Sequence, residues 1–427
     1  MMEKSKTIIL TFLVVLSLIQ SYFLSYSMPN FEPIQKSESS YVKTEEMGPE
    51  EKIENLVFPE QMVLHLGGGK HTVFSPDYIF YKEIFKRLQG RKFDVFQRTS
   101  THLLDLSRIR NEDPGIELVF GQGVPVTLLR KVMQIQGDPE FGDELINRIW
   151  IFTSDDKETV RALFFSSKNQ VVYEATKADL TVQDVKQHVE FGQAWDSYRL
   201  LYDQYYLPDK PLNMVQIEVP YEVFTAEQMQ HNLFFDPSTT RNIKEKDGSE
   251  IYTDSKRSLQ VRPEHQWVTY SDPVARVEGA NDVSENVLSA VQFVNQHGGW
   301  NGTHRLTISP IQVDGTEVVF QQYYGGYPIV TDSLFRFGSI RLSVQQGVVT
   351  SYQRSLIYLD DRASLKQLRT LPGGDELAKM FKRYLDQTNN KVQWIFPAYR
   401  PFLTEKVIRL IPTWAVRLED GSMDYLK

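Results

Sequence analysis

The sequence predicts an α+β protein of several domains carried behind an N-terminal transmembrane helix. Three observations predict it. Residues 7–26 form one apolar run without charge, glycine or proline. The chain after that run mixes strand-like apolar stretches with amphipathic helices. Its last third reads as helix, antiparallel meander, helix and further strands, the pattern of packed helices beside antiparallel sheets.

The apolar run is long enough to span a bilayer, since roughly 20 residues at about 1.5 Å each cross a ~30 Å hydrocarbon core. Lys4 and Lys6 precede it, against Glu3 alone, and the flank after it is rich in glutamate from Glu32 to Glu54. Basic residues stay on the cytoplasmic side, so the expected topology is single-pass, with the N-terminus inside and the bulk of the chain outside. A cleaved secretory signal is the rival reading, supported by a small-x-small site at Ser25-Tyr26-Ser27. Length favours the retained anchor. The expected organisation is a cytoplasmic tail (1–6), the anchor (7–27) and an acidic stalk (28–55). Three ectodomain parts follow, at 56–206, 207–281 and 282–427.

With 41% hydrophobic and 24% charged residues, the 427-residue chain can bury several cores. A net charge of -8 argues against nucleic acid or anionic lipid as the main partner. The chain has no cysteine, which removes thiol chemistry, disulfides and a lipoprotein anchor together.

In the first ectodomain part, the run 61–66 ends at Gly67-Gly68-Gly69, and Tyr78, Tyr81, Ile84, Phe85 and Leu88 recur at helical spacing. Strands are expected at 116–120, 149–152, 161–165 and 171–175. Leu207-Pro-Asp-Lys-Pro211 marks a boundary before an alternating strand at 214–219 and a helix at 226–235. The last part predicts a helix over 282–295 and strands at 304–311, 317–324, 327–331 and 340–355. A helix over 375–387 and strands at 392–396 and 410–418 complete it. Gly325-Gly326 and Gln346-Gly347 supply hairpin turns between these strands.

No catalytic, metal or cofactor site is expected. The glycine turn before Lys70 lacks both the spacing and the following hydroxyl of a phosphate loop, with Leu64 and His71 where a glycine and a Ser/Thr belong. His65 and His71, like His297 and His304, flank glycines as pairs, whereas a metal needs three or four converging ligands. Asp155-Asp156 and Asp360-Asp361 are adjacent acids suited to turns. Asn301-Gly-Thr303 reads as a turn. The tyrosine-rich Tyr323-Tyr324-Gly-Gly-Tyr327 has two readings, a binding surface or core cover. Within the anchor, Ser17, Gln20 and Ser21 fall on one helix face beside Leu10, Leu13 and Leu24. A glutamine there either bonds a partner helix in the membrane or reaches the outer interface.

Three stretches resemble a known family: MVLHLGGGKHTVFSPDYIFY, FVNQHGGWNGTHRL and VVFQQYYGGYPIV, all behind a basic tail and an apolar anchor. They resemble the YycH family of Gram-positive bacteria over nearly the whole chain. The resemblance implies a single-pass membrane protein whose C-terminal region is similar to the companion protein YycI. It also implies regulation of a WalK/YycG-type sensor histidine kinase that controls cell-wall metabolism, with YycI as a second membrane partner and transmembrane contacts among them. The alternative reading is a wall-polymer or peptide-binding module, with a hydrolase behind it.

Overall fold

The computed structural model describes residues 6, 13–17, 20, 45–137, 141–142, 144–154, 158–167, 171–262, 266–273, 281–308, 316–331, 335–360 and 365–426. The chain divides into two compact units, Met1–Lys43 and Thr44–Lys427. In the first, residues 13–17 are helical and exposed. Most of the expected span at 7–27 lies outside the described residues, and among those described no helix is long and apolar enough to cross a membrane.

The second unit is α+β, as expected, with three sheets that are antiparallel except for the pairing of Lys92–Ser100 with Gln134–Ile135. The first sheet has the spatial order Tyr205–Pro208, Tyr198–Leu201, Lys70–Phe74, Gln61–Gly67, Gly115–Pro125, Leu145–Ser154, Thr159–Ser166, Val171–Ala178, Lys92–Ser100, Gln134–Ile135. One face is apolar: Met62, Leu64, Ile116, Leu118, Ile149 and Ile151 meet Ile84 and Leu88 of helix Ile79–Gln89 and Val185 and Val189 of helix Val182–Glu190. The latter helix starts in a capping box between Thr181 and Asp184, which satisfies two amides that the helix itself cannot.

The expected part at 207–281 divides between the other two sheets. Its strand Leu212–Val223 pairs with Val407–Leu418 and Leu365–Leu371 in a six-stranded sheet. Its strands between Arg241 and Ser271 run into the meander through the pairing of Trp267–Ser271 with Val348–Ser355. Helix Val283–Gln296 lies against that nine-stranded sheet, burying Val287, Ala290, Val291 and Val294, and Asp282 caps its first turn. The two asparagine-free hairpins at Gly325-Gly326 and Gln346-Gly347 form as expected, but the strand expected at 327–331 shortens to Tyr327–Pro328. The Ile329 amide still donates to the Gln322 carbonyl at 2.9 Å, and the Val330 amide then turns to the Tyr399 carbonyl at 2.9 Å.

The acidic stalk is expected over residues 28–55, of which 28–44 lie outside the described residues. Residues 45–55, expected within it, are part of the folded unit. Asn232 accepts from the Glu45 amide at 2.8 Å and donates to its carbonyl at 3.0 Å. Asn295 repeats the arrangement at Glu51, with distances of 3.0 and 2.9 Å. Between them the Met47 and Gly48 amides donate to the Gly298 carbonyl, and Trp300 donates to the Pro49 carbonyl. A Cβ on Gly48 would stand 1.6 Å from the Trp300 carbonyl oxygen, so the strap admits only glycine there. Acid counts could not reveal this, because hydrogen bonds to the segment's backbone and the buried side chains of Met47 and Ile53 hold it.

Asn295 also accepts from the Trp300 indole at 2.6 Å. Asn295→Ala removes three hydrogen bonds and is expected to cost about 1–3 kcal/mol. Hydrogen exchange of amides 45–51 should accelerate in the variant, and unchanged protection would show that the strap is held elsewhere.

Candidate functional site

The face expected to meet a partner comprises Leu10, Leu13, Ser17, Gln20, Ser21 and Leu24. Leu13 and Ser17 lie in one helical stretch, and Gln20 is helical too; all three are exposed. Four residues apart, Leu13 and Ser17 share a face. Leu10, Ser21 and Leu24 lie outside the described residues, as do Asp155, Asp156, Asp361 and His265.

The glycine turn is a hairpin joining Gln61–Gly67 to Lys70–Phe74, with Lys70 exposed at its end. The tyrosine hairpin turns inward. Tyr323 is buried against Phe58, and Tyr324 and Tyr327 pack edge-on to Tyr399. These rings cover a core, which removes the basis for a binding surface there. Asn301 spends its side-chain oxygen on Arg354 at 2.8 Å. His297 is stacked on Phe293 and bonded to that residue's carbonyl, while His304 is buried and bonded to the Gly302 carbonyl.

His65 and His71 are brought together by strand register, and the second face of the first sheet adds Glu117 and Trp150. The two Nδ1 atoms are 3.0 Å apart, and His65 Nε2 lies 3.2 Å from Glu117 Oε2. Arg148 Nε reaches Glu117 Oε1 at 3.1 Å, and the Tyr206 hydroxyl donates to Oε2 at 2.9 Å. Because the imidazoles face each other through Nδ1, their ring nitrogens do not converge on one point with the carboxylate. Among the described residues no group of three His, Asp or Glu side chains is placed to hold a metal.

Burial alone would push the Glu117 carboxyl up, but Arg148, His65 and Arg110 outweigh it and hold it well below the usual carboxylate range. Burial, then His65 and Arg110, push the His71 imidazole down to about 4. Chemically this is a sealed ionic joint. Tyr206 comes from the strand Tyr205–Pro208, whose neighbours Gln204 and Tyr205 bond the Val392 carbonyl in the six-stranded sheet. Arg148 also lies 5.0 Å over the Trp394 ring of that sheet.

A second buried joint unites all three sheets. The Glu60 Oε1 atom lies 2.8 Å from Arg305 Nη1 and 2.8 Å from Arg417 Nη2. Glu60 precedes the strand Gln61–Gly67, Arg305 sits in Thr303–Ile308, and Arg417 in Val407–Leu418. Arg305 also donates to the Phe58 carbonyl at 2.7 Å. A bulge in Gly115–Pro125 makes room for the carboxylate, since the register jumps from Val119↔Arg148 to Val124↔Ile146. Gly121, in the bulge, has φ of 64°, and a Cβ on it would stand 2.5 Å from Glu60 Oε1. The same bulge sends Gln122 to Gln393 at 3.0 Å.

Sequence reading passed over Glu60, Glu117, Arg148, Arg305 and Arg417, and Asn232 and Asn295. One signal was available: Glu117 and Arg417 stand inside otherwise apolar strand runs, where a charge must find a partner.

Family models cover both halves of this architecture. The N-terminal domain of the YycH protein matches residues 3–193, and its C-terminal domain matches residues 202–427. The chain belongs to the YycH family. A curated relative, the two-component system WalR/WalK regulatory protein YycH of Bacillus subtilis (strain 168), is 21% identical over 438 residues. That match covers 97% of this chain and 94% of the relative. The crystal structure of YycH from Bacillus subtilis superposes with a TM-score of 0.72 at 19% identity. It covers 90% of this chain and 99% of that one, so the two share a fold. The junction between the two YycH domains falls at the hairpin Tyr198–Leu201/Tyr205–Pro208, where the His65–Glu117 joint is anchored.

Removing one partner of a buried ion pair leaves an uncompensated charge. Glu60→Gln is expected to cost about 3–5 kcal/mol in chemical denaturation, and the apolar triple replacement Glu60→Leu, Arg305→Met and Arg417→Met to cost much less. The lowered His71 carries a pH dependence. The unfolded imidazole binds a proton below 6.5 and the folded one only below about 4, so stability falls as pH drops through that window. His188, His297 and His304 are shifted in the same direction, chiefly by burial. In His71→Gln the slope of stability against pH between those values should shrink, by up to about 1.4 kcal/mol per pH unit. An unchanged slope would remove His71 from the acid response.

Proposed function

We propose that this chain is a non-enzymatic, membrane-anchored regulator of a WalK-type sensor histidine kinase. Its N-terminus lies in the cytoplasm and its folded unit outside the membrane. The single observation that carries the reading is membership of the YycH family, whose curated relative is named a WalR/WalK regulatory protein. A regulator of this kind works by binding one signalling state of the kinase better than another. The proposed contacts are transmembrane, through the face of Leu10, Leu13, Ser17, Gln20, Ser21 and Leu24, with the kinase and a YycI-like membrane protein as partners. The C-terminal region, proposed to be YycI-like, would meet its counterpart outside.

The geometry supports a mechanical version of this reading. Residues 45–51, which follow the proposed anchor and stalk, are strapped to Asn232 and Asn295. Asn295 belongs to the helix against the nine-stranded sheet, and that sheet is joined to the other two through Glu60. Pull or rotation delivered at the strap therefore reaches the whole folded unit.

Ser17→Leu, Gln20→Leu and Ser21→Leu combined keep the span apolar while deleting its polar face. Co-purification with the kinase from membranes is expected to fall several-fold at equal expression. Undiminished co-purification would eliminate the intramembrane contact, and a kinase whose phosphorylation is indifferent to deletion of the whole chain would eliminate the regulatory reading.

A further inference from the structure

The six-stranded sheet leaves one exposed edge, since its other outer strand, Val392–Leu403, is mostly buried. Strand Leu365–Leu371 pairs with Leu212–Glu218 over seven residues, and its other edge carries no ladder among the described residues. Six of its seven residues are exposed; Leu365 is 52% and Leu368 66% accessible. The outer strands of the other sheets are managed differently. Gln134–Ile135 and Arg241–Lys244 are short, and Tyr205–Pro208 is buried. A long edge with accessible leucines presents unpaired backbone amides and carbonyls in the spacing that another strand completes.

The charge of this edge is local and one-sided. Lys366 and Arg369 are its only ionisable side chains, on opposite faces by strand alternation. Arg369 bonds Gln216 at 3.0 Å, and neither cation has an acidic partner among the described residues. Glu218, the nearest acid on the paired strand, is engaged by Arg409 at 2.9 Å. The chain as a whole carries -8, so this edge is positive against a negative background.

We infer that Leu365–Leu371 is a docking edge for an extended acidic segment of a different polypeptide, which adds to the sheet as a further antiparallel or parallel strand. Main-chain hydrogen bonds give the contact its register, Leu365 and Leu368 pack on alternate side chains, and Lys366 and Arg369 select for carboxylates. A second copy of this chain offers no carboxylate from the same edge, which carries only Lys366 and Arg369. Antiparallel self-pairing centred between residues 367 and 368 sets Lys366 opposite Arg369 of the copy, and like charges across a ladder repel. The inference goes beyond the regulatory reading and holds whichever protein supplies the strand.

The test uses the full chain in detergent micelles and three fluorescent nine-residue peptides of high strand propensity. One carries three glutamates, one carries lysines in their place, and one is the glutamate peptide with a central proline. The glutamate peptide is expected to bind saturably, to weaken with salt, and to slow exchange of the 365–371 amides. The other two peptides should bind at least about tenfold more weakly. Lys366→Glu with Arg369→Glu should reverse the preference between the glutamate and lysine peptides. Absence of saturable binding at millimolar peptide, equal binding of the three, or protection elsewhere than 365–371 would overturn the inference. So would a dimer of the full chain that Leu368→Glu dissolves.

Discussion

The Glu60 carboxylate is the point on which the three sheets depend. It is 8% exposed, and two arginines almost wholly withdrawn from water converge on one of its oxygens. Such groups are costly to desolvate, and their mutual attraction offsets that cost only while all three are in place. The arrangement therefore fixes position more than it adds stability. Slippage of any one sheet would leave a buried charge without its partner. The bulge at Gly121 follows from this constraint, because the carboxylate occupies the space that a side chain there would need.

The His65–Glu117–Arg148–Tyr206 joint performs a similar task at the border between the two family domains. Its members come from strands at four separate points of the sequence, and Tyr206 belongs to a hairpin tied to Lys70–Phe74 by the one pair His71↔Tyr198. The hairpin is held at its other side by Val392. Both ends of that contact are polar and buried, so the border is defined by geometry rather than by apolar area alone. Together with the strap at residues 45–51, the two joints link each sheet to the chain segment nearest the N-terminal unit.

Much of this fold was legible in the residues. The helix at Asp282, its apolar spacing and its ending at Gly298 were readable from local chemistry, as were the tight turns of the meander and the helix beginning near Asp375. Sheet membership was not. Strand Leu212–Val223 pairs with residues nearly two hundred positions later, and periodicity carries no information about which distant strand completes a ladder. The joints were hidden for a related reason. Glu117 and Arg417 announce themselves as charges within apolar runs, but the identity of each partner depends on register. Asn232 and Asn295 gave no signal at all, since an asparagine on a helix is ordinarily a solvated side chain.

If the ionic joint makes one cooperative body of the folded unit, its three sheets must unfold together. Variants retaining only Trp150, only Trp267 or only Trp414 place one fluorescent probe in each sheet. Equilibrium denaturation should give the same midpoint from all three probes, with the midpoints separating once Glu60 is replaced. Distinct midpoints with Glu60 present would contradict the account, because the sheets would then be independent domains that merely touch.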